Sequence, residues 1–374
     1  MVGFVEYLVD ALKLADRHRA TVSPNPSIGC IIVDPLGSVV GQGHTQPVGG
    51  PHAEIMALRD AQAKGHATVG ATAYVTLEPC SHHGRTGPCC DALIAAGIKR
   101  VVATHTDPNP LVSGQGFARL RAAGVQVDVL PPDDPVAVQA RELNIGFFSR
   151  MVRKRPWVRA KMASSLDGKI ALSNGASQWI TSPAARADGH QWRARSCAVL
   201  TGIGTILADN PRLDVREVAT SRQPHLVVVD ASLQTPIHAA LFDIPRQVLI
   251  YTATPEPAAR QALQARGATI IDLPSPTEPG RVDLAEMMQD LARREMNEIH
   301  VEAGRGLMGA LLQARLVDDM LLYIAPKLLG PGMELAHLPP LSTLDDAISL
   351  EFQSVERVGA DLRVVARLQS HDRF

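Results

Sequence analysis

The sequence predicts two consecutive α/β domains, an α/β/α layered domain followed by a second, dissimilar α/β domain. Three observations carry this reading. The chain has 374 residues, enough for two or three domains at roughly 150 residues each. Strand-length apolar runs alternate with helical periods along both halves. The alternation breaks once, at Pro131-Pro132-Asp133-Asp134-Pro135, and a basic, proline-terminated run with Arg150, Arg153, Lys154, Arg155 and Pro156 follows. That break divides the chain into residues 1–148 and 149–374.

Taken in order, the first half opens with an amphipathic helix that carries Glu6 and Asp10 inside its apolar pattern. Strands are expected over 28–33 and 39–43, then a helix after His52, a strand over 72–76 and a helix after Pro88. A strand over 100–104, a helix over 116–123 and a strand over 125–130 complete the layer. The second half shows strand patterns near 158–162, 198–201, 226–230, 248–251, 299–302, 321–324 and 362–366, with helical stretches such as 183–194 and 284–293 between them. The first half is rich in Cys and His and the second holds one Cys, so the halves are different modules and not a repeat.

Composition removes several function classes. Lys plus Arg number 37 and Asp plus Glu 38, a net charge of −1, and aromatic residues make up 4%. Nothing there offers the basic channel with stacking aromatics that nucleic acid requires, or a field that attracts anionic lipid. The opening residues lack the basic start of a signal peptide. The longest weakly polar stretch, 197–208, is well short of the roughly 18 residues that suggest a membrane span. A cytoplasmic protein without membrane or nucleic-acid partners is expected. Of the five cysteines, Cys80, Cys89 and Cys90 crowd into one segment among histidines, which points to metal or catalysis and away from disulfides.

His52-Ala53-Glu54 opens a helical stretch, and Glu78-Pro79-Cys80 and Gly87-Pro88-Cys89 follow. One imidazole and two thiolates are the donors zinc prefers, and three of them leave the fourth tetrahedral position open, as a catalytic site requires. Zinc lowers the pKa of water toward neutrality, and Glu54, close to His52 without being a ligand, can carry protons to a departing amine. This is the logic of the zinc deaminases, although eight residues, 81–88, separate the two cysteines where their signature has two. A closed structural site with His82 or His83 as fourth ligand is the alternative, and it leaves Glu54 idle. Cys89 follows a proline, as Cys80 does, and is taken as the ligand, with Cys90 as a core cysteine.

In the second half the strand over 298–302 runs into Gly304-Arg305-Gly306-Leu307-Met308-Gly309 and the helical residues from Ala310 on. Glycines in such a turn let backbone N–H groups and a helix N-terminus approach a phosphate. An ordinary dinucleotide fold places this motif early and an acid at the end of the next strand, whereas here it is late and Asp318 and Asp319 precede the next strand. A pyrophosphate cradle on another α/β fold is expected, with a tight helix-packing turn as the alternative. Arg305 is a candidate partner for a 2′-phosphate.

In the first half, Asn25-Pro26-x-x-Gly29, Gly41-x-Gly43-His44, His52-Ala53-Glu54, Glu78-Pro79-Cys80-x-His82-x-Gly84-Arg85-Thr86 and Asp107-Pro108-Asn109-Pro110 together resemble the deaminase half of the bifunctional riboflavin-biosynthesis deaminase/reductase family. The long insert between the cysteines is that family's version, with Gly87 where it usually shows Pro. Lys161-x-Ala163-x-Ser165-Leu166-Asp167-Gly168, Ser177-Gln178-Trp179-Ile180-Thr181-Ser182, Arg193-x-x-Ser196, Thr205-x-Leu207-x-Asp209-x-Pro211-x-Leu213-x-x-Arg216 and Glu302-x-Gly304 resemble its reductase half. The match covers nearly the whole chain in the same domain order.

The resemblance implies a cytidine-deaminase-like domain with zinc, a dihydrofolate-reductase-like domain with NADPH, and a homo-oligomer of two or four copies. It implies zinc on His52, Cys80 and Cys89 with Glu54 catalytic, Asn25 and His44 lining the pyrimidine pocket, and the insert holding the substrate phosphate. Ala163, Trp179, Thr205, Asp209 and the turn Gly304, Arg305, Gly306, Leu307, Met308, Gly309 and Ala310 would contact NADPH. Ser177, Arg193, Leu213, Arg216 and Glu302 would hold the phosphoribosyl substrate, since guanidinium forks suit a phosphate and a carboxylate suits sugar hydroxyls. Lys161 is left open between positioning the ribose, assisting proton transfer at its ring oxygen, and pairing with an acid. The implied reactions are deamination of 2,5-diamino-6-ribosylamino-4(3H)-pyrimidinone 5′-phosphate and then reduction of the ribosyl group to ribityl. The rival readings are a nucleoside or nucleic-acid deaminase with an unrelated appendage, and a zinc and NADP sensor without turnover.

Overall fold

The structure is a computed structural model that describes residues 2–82, 87–254, 256–372 and 374. The chain divides into two units, one running to Arg153 and taking in Phe374, the other starting at Lys154.

The first unit contains α1 (Val2–Val22), β1 (Gly29–Val33), β2 (Val39–His44), α2 (Ala53–Ala63), β3 (Thr72–Val75), α3 (Cys89–Ala95), β4 (Arg100–Ala103), α4 (Gln115–Ala122), β5 (Gln126–Val129), α5 (Pro135–Leu143) and α6 (Ile145–Arg153). The sheet order is β2-β1-β3-β4-β5, with β1 antiparallel to both β2 and β3 and the rest parallel. Every residue of β1 is buried because both sheet faces are covered. Cys30 and Ile32 pack toward Ala57 of α2, Leu93 of α3 and Leu120 of α4. Ile31 and Val33 alternate to the other face, against Leu8 and Ala15 of α1 and Val136 and Ala140 of α5. The result is an α/β/α layer.

The break expected over 131–135 is a turn over 131–134, and Pro135 starts a helix. Pro135 occupies the first turn of α5, where its missing N–H costs nothing, and the Asp134 carboxylate accepts from Val136 N at 2.8 Å. Residues 148 and 149 both lie within α6, so the helix is continuous across the expected division.

The second unit contains β6 (Trp157–Ser165), β7 (Lys169–Leu172), α7 (Pro183–Arg195), β8 (Ala198–Gly202), α8 (Ile203–Asp209), β9 (His225–Val229), β10 (Val248–Thr252), α9 (Pro257–Ala265), β11 (Ala268–Asp272), α10 (Leu284–Arg293), β12 (Glu298–Val301), α11 (Arg305–Gln313), β13 (Asp319–Ala325), β14 (Gly332–Glu334), β15 (Leu350–Val358) and β16 (Asp361–Leu368). Its large sheet has the order β11-β10-β9-β8-β12-β6-β13-β16-β15, and β7 pairs with β14 separately. Pairing is parallel from β11 to β13 and antiparallel at β16 and β15.

The two faces around β6 and β12 differ in kind. Val158, Ala160, Ile299 and Val301 join Met287 and Leu291 of α10 and Met308 and Leu311 of α11 in an apolar core. On the other face Arg159 bonds Glu298 at 2.9 Å and Asp319 at 3.2 Å, and Arg367 bonds Asp319 at 3.0 Å. Trp192 of α7 covers them, with the Arg159 and Arg195 guanidinium groups 4.6 and 4.4 Å from its ring. Lys161 continues this polar face toward the C-terminal ends of the parallel strands, where ligands of open α/β sheets bind. No described helix is long and apolar enough to cross a membrane.

Candidate active sites

In the first unit, the chemistry gathers at one end of the sheet. His52 caps the N-terminus of α2 and Glu54 sits in its first turn. Cys89 opens α3, and Cys80 lies in the loop after β3. Gly43 brings β2 so close to α2 that a Cβ there would stand 2.4 Å from Ala53 O, which makes glycine obligatory beside the helix that carries His52. His52 Nδ1 is 3.5 Å from Cys80 Sγ and 3.3 Å from Cys89 Sγ. Ligand bonds of about 2.0 and 2.3 Å in a tetrahedron give N···S edges of about 3.6 Å, so this triad fits zinc in donor type and in spacing. The Cys90 thiol points away and donates to Cys80 O at 3.1 Å.

The two ligand thiols interact as a pair. The hydrogen bond from Cys89 pulls Cys80 down to about 4, and the same bond pushes Cys89 up. The pairing therefore favours the thiolate of Cys80, the form that metal binding needs. Glu54 is buried; desolvation first, and the Cys80 charge second, raise its carboxyl to about 7. A bound dication opposes both effects and favours the carboxylate.

Asn25 and His44 lie at the same sheet end, because Gly29 pairs with His44 and accepts from Thr76 N just before Cys80. The Asn25 loop is held by Asn144, which exchanges two bonds with Ser27 of 2.7 and 3.0 Å, and by Arg150, which donates to Pro24 O. His44 stacks face to face on His18 of α1, ring centroids 3.5 Å apart. His82 is exposed; His83, Gly84, Arg85 and Thr86, the greater part of the expected phosphate-holding insert, lie outside the described residues.

In the second unit, three residues far apart in sequence converge. Arg193 of α7 takes both carboxylate oxygens of Glu302, through Nε to Oε1 and through Nη2 to Oε2 at 2.9 Å, and donates to Asp214 O at 2.7 Å. Lys161 Nζ is 3.7 Å from Glu302 Oε2. Burial opposes ionisation of Glu302, but Arg193 and Lys161 outweigh it and hold the carboxyl well below its usual range. Arg216, half exposed, bonds Asp214 Oδ1 at 2.6 Å. Leu213 is buried with Val199 and Ile206, so only its backbone is offered to a ligand, and Arg246 already donates to that carbonyl.

The glycine turn divides into two parts. Gly304 caps α11 and donates to Thr205 Oγ1 of α8 at 3.2 Å. A Cβ at Gly304 would approach nothing closer than 3.9 Å, and one at Gly306 would meet nothing within 4 Å, so the helix N-terminus faces open space, as a pyrophosphate cradle requires. Met308 is buried in the core, and a Cβ at Gly309 would stand 2.0 Å from His337 O. The second part of the motif is packing. Arg305 bonds Glu334 at 2.5 Å, and Leu307 and Ala310 are partly buried. Asp209 ends α8 and is exposed. Trp179 is 62% exposed, under the Arg186 guanidinium at 4.4 Å, and its carbonyl accepts from Lys327. Ser177 shares its loop, and Ala163 faces Tyr323 across β6 and β13.

Residues 156–364 match the family described as RibD C-terminal domain, and residues 5–105 match the cytidine and deoxycytidylate deaminase zinc-binding region. The riboflavin biosynthesis protein RibD of Escherichia coli (strain K12) is 46% identical over 363 residues, which cover 95% of this chain and 97% of that protein. The chain belongs to the RibD family. The RibD of Aquifex aeolicus is 37% identical, covering 95% and 96% of the two chains. The crystal structure of a diaminohydroxyphosphoribosylaminopyrimidine deaminase/5-amino-6-(5-phosphoribosylamino)uracil reductase from Thermotoga maritima superposes with a TM-score of 0.84 at 31% identity, covering 98% and 99%. This RibD-family chain is a bifunctional riboflavin-biosynthesis enzyme, a zinc deaminase joined to an NADPH reductase.

Two supporting residues of this RibD-family chain were not singled out for a role from the sequence. Glu78 is buried and accepts from Asp107 N, Gly114 N, Gly116 N and Phe117 N at 2.9 to 3.2 Å. It satisfies the first amides of α4, whose own cap is a glycine, and so anchors the strand end that delivers Cys80. Asp167 accepts from Leu329 N and Gly330 N and ties the loop after β6 to the loop after β13. A lone acid beside a proline or a glycine carries no signal for such a role in sequence.

Proposed function

We propose that each reaction belongs to one unit: the unit running to Arg153 carries the deaminase and the unit from Lys154 the reductase. When bound, zinc supplies Lewis-acid activation of water and NADPH supplies a hydride. His52, Cys80 and Cys89 hold the metal. Glu54, buried beside them, takes a proton from the attacking water and hands it to the departing amine. Asn25 and His44 face the pyrimidine from the same sheet end.

In the second unit Glu302 accepts from ribose hydroxyls and Lys161 supplies the proton that the opening ribose needs. Arg193 fixes the Glu302 carboxylate, while Arg216 and Ser177 orient the phosphoribosyl group. Thr205, Asp209, Ala163, Trp179 and the open part of the glycine turn bind the cofactor. The substrate class is a phosphorylated aminopyrimidine, in keeping with the printed activity of the Thermotoga maritima relative. The protein works in the cytoplasm, as a homo-oligomer. The edge strand β15, with Phe352 76% exposed, supports self-association.

The observation that carries this reading is the triad of His52, Cys80 and Cys89 with Glu54 buried next to it. The test follows ammonia release and NADPH oxidation together on the diaminopyrimidinone ribosyl phosphate. Ammonia released without NADPH, and reduction only after its addition, are expected. Metal-loaded protein that binds both zinc and NADP and turns over neither substrate would leave the sensor reading in its place.

A further inference from the structure

His300, in the middle of β12, is 0% exposed and neither of its ring nitrogens completes a hydrogen bond. A buried imidazole left unsatisfied carries a desolvation penalty and calls for an explanation. Its surroundings supply one. Nε2 lies 3.3 Å from Glu302 Oε1, the oxygen that Arg193 Nε also holds, and Lys161 Nζ stands at the other carboxylate oxygen. We propose that His300 is a positioning residue of the reductase: it stays neutral and offers its Nε2–H to Glu302 Oε1, so that together with Arg193 it holds the carboxylate that accepts ribose hydroxyls.

The charges facing His300 make neutrality essential. Glu302 lies on the loop leaving its own strand, Lys161 is on β6, Arg193 is on α7, and its lateral partner Arg159 on β6 is already paired with Glu298 and Asp319. Its neighbour on β8, Val199, is apolar. Two cations and one carboxylate thus surround the ring. A proton on His300 adds a third positive charge, which competes with Lys161 for Glu302. Burial first, then Arg193 and Lys161, keep the ring deprotonated at neutral pH and outweigh the pull of Glu302. Acidification below the ordinary imidazole range removes that condition, so the reductase loses turnover there.

The inference rests on the reductase reading of Lys161 and Glu302, and the experiment separates the two. In the full-length, zinc-loaded protein, His300→Leu removes the donor at similar volume, and His300→Gln keeps a neutral amide donor near the Nε2 position. Ammonia release serves as the internal control for folding. His300→Leu is expected to lower the reductase kcat by about ten-fold or more with KM for NADPH within about three-fold, a pattern of lost positioning at the reacting centre. His300→Gln is expected to restore most of kcat at neutral pH and to move the acid limb of the kcat profile to lower pH. A Leu variant with wild-type kcat, a Gln variant no better than Leu, or an unmoved acid limb in a rescued Gln variant overturns the proposal. A wild-type protein that binds NADPH but does not reduce the deaminated substrate overturns the underlying reading and this inference with it.

Discussion

The two candidate active sites are assembled in opposite ways. In the first unit the chemical groups come in short sequence pairs, His52 with Glu54 and Cys80 with Cys89, and two helix N-termini and one loop bring them together. In the second unit Lys161, Arg193 and Glu302 come from β6, α7 and the end of β12, and only the register of a nine-stranded sheet places them side by side. A metal site needs a few donors at fixed short range, which local chain geometry can supply. A site that grips an extended sugar phosphate and a dinucleotide needs contacts spread over a sheet edge. The first site should therefore fail all at once when its metal or its acid is removed, and the second should fail by degrees.

The largest expected effect tests that contrast. Chelation of zinc should abolish ammonia release and leave NADPH-dependent reduction of the deaminated substrate near its starting rate. Glu54→Gln should retain stoichiometric zinc by metal analysis and lose roughly 10²–10⁴-fold in deamination, the scale of a missing proton carrier. Loss of both activities on chelation would mean that the two sites are not independent, and the comparison would break.

Next comes Arg193→Ala. It strips Glu302 of its bidentate partner and leaves the mostly buried carboxylate with Lys161 at 3.7 Å and the His300 ring at 3.3 Å. Leaving a buried charge short of its partner costs about 3–5 kcal/mol, so the melting temperature should fall as well as the reductase kcat/KM. The deaminase assay on the same preparation should be unchanged at temperatures below the new melting point. Arg193→Lys should recover little, because a point charge cannot hold two carboxylate oxygens. If Arg193→Ala reduced as fast as wild type, the second site would have to be sought elsewhere on the sheet edge.

What could be read from the sequence follows the same division. The metal triad and Glu54 were legible because their residue types and spacing have few other uses. The central strands β1 and β8 were legible because, buried on both faces, they are nearly unbroken apolar runs, whereas β12 showed only through Ile299 and Val301 between polar residues. β15 was missed because LEFQSVERV is an exposed edge strand whose apolar alternation is broken by a bulge between Phe352 and Ser354. The helix α5 was hidden behind a proline and an acid that are helix-start chemistry in the structure, and α6 behind the basic residues of its last turn. The roles of Glu78 and Asp167 were illegible because both act by accepting backbone amides distant in sequence, and a carboxylate's identity says nothing about which amides it will meet.

A smaller effect places the two units on common ground. His105 in the first and His190 in the second are both held down to about 4, chiefly by burial and then by nearby arginines. Their folded values are depressed below the ordinary 6.5, so the unfolded chain binds more protons between those limits. Stability is therefore fully present above about pH 6.5 and declines as pH falls toward 4 in either unit. Thermal unfolding followed from pH 7.5 to 4.5 should show the loss, and His190→Gln should flatten it for the second unit alone. An unchanged slope in that variant would assign the acid sensitivity of the second unit to groups other than His190, the buried His225 and His300 among them.

The finest test lies inside one turn. Gly306 and Gly309 look alike in sequence, yet the first faces open space and the second lies against the His337 carbonyl, 2.0 Å from where a Cβ would sit. Gly309→Ala must shift backbone and should destabilise by about 1–3 kcal/mol, a drop of several degrees in the melting temperature whether or not cofactor is present. Gly306→Ala lies in the first turn of α11 and gains helix propensity, so the melting temperature should hold or rise slightly. Its methyl group would instead intrude on the space assigned to the pyrophosphate, and the KM for NADPH should rise with kcat nearly unchanged. Should Gly306→Ala leave the KM untouched, the turn would be packing along its whole length, and cofactor binding would rest on Thr205, Asp209 and Trp179.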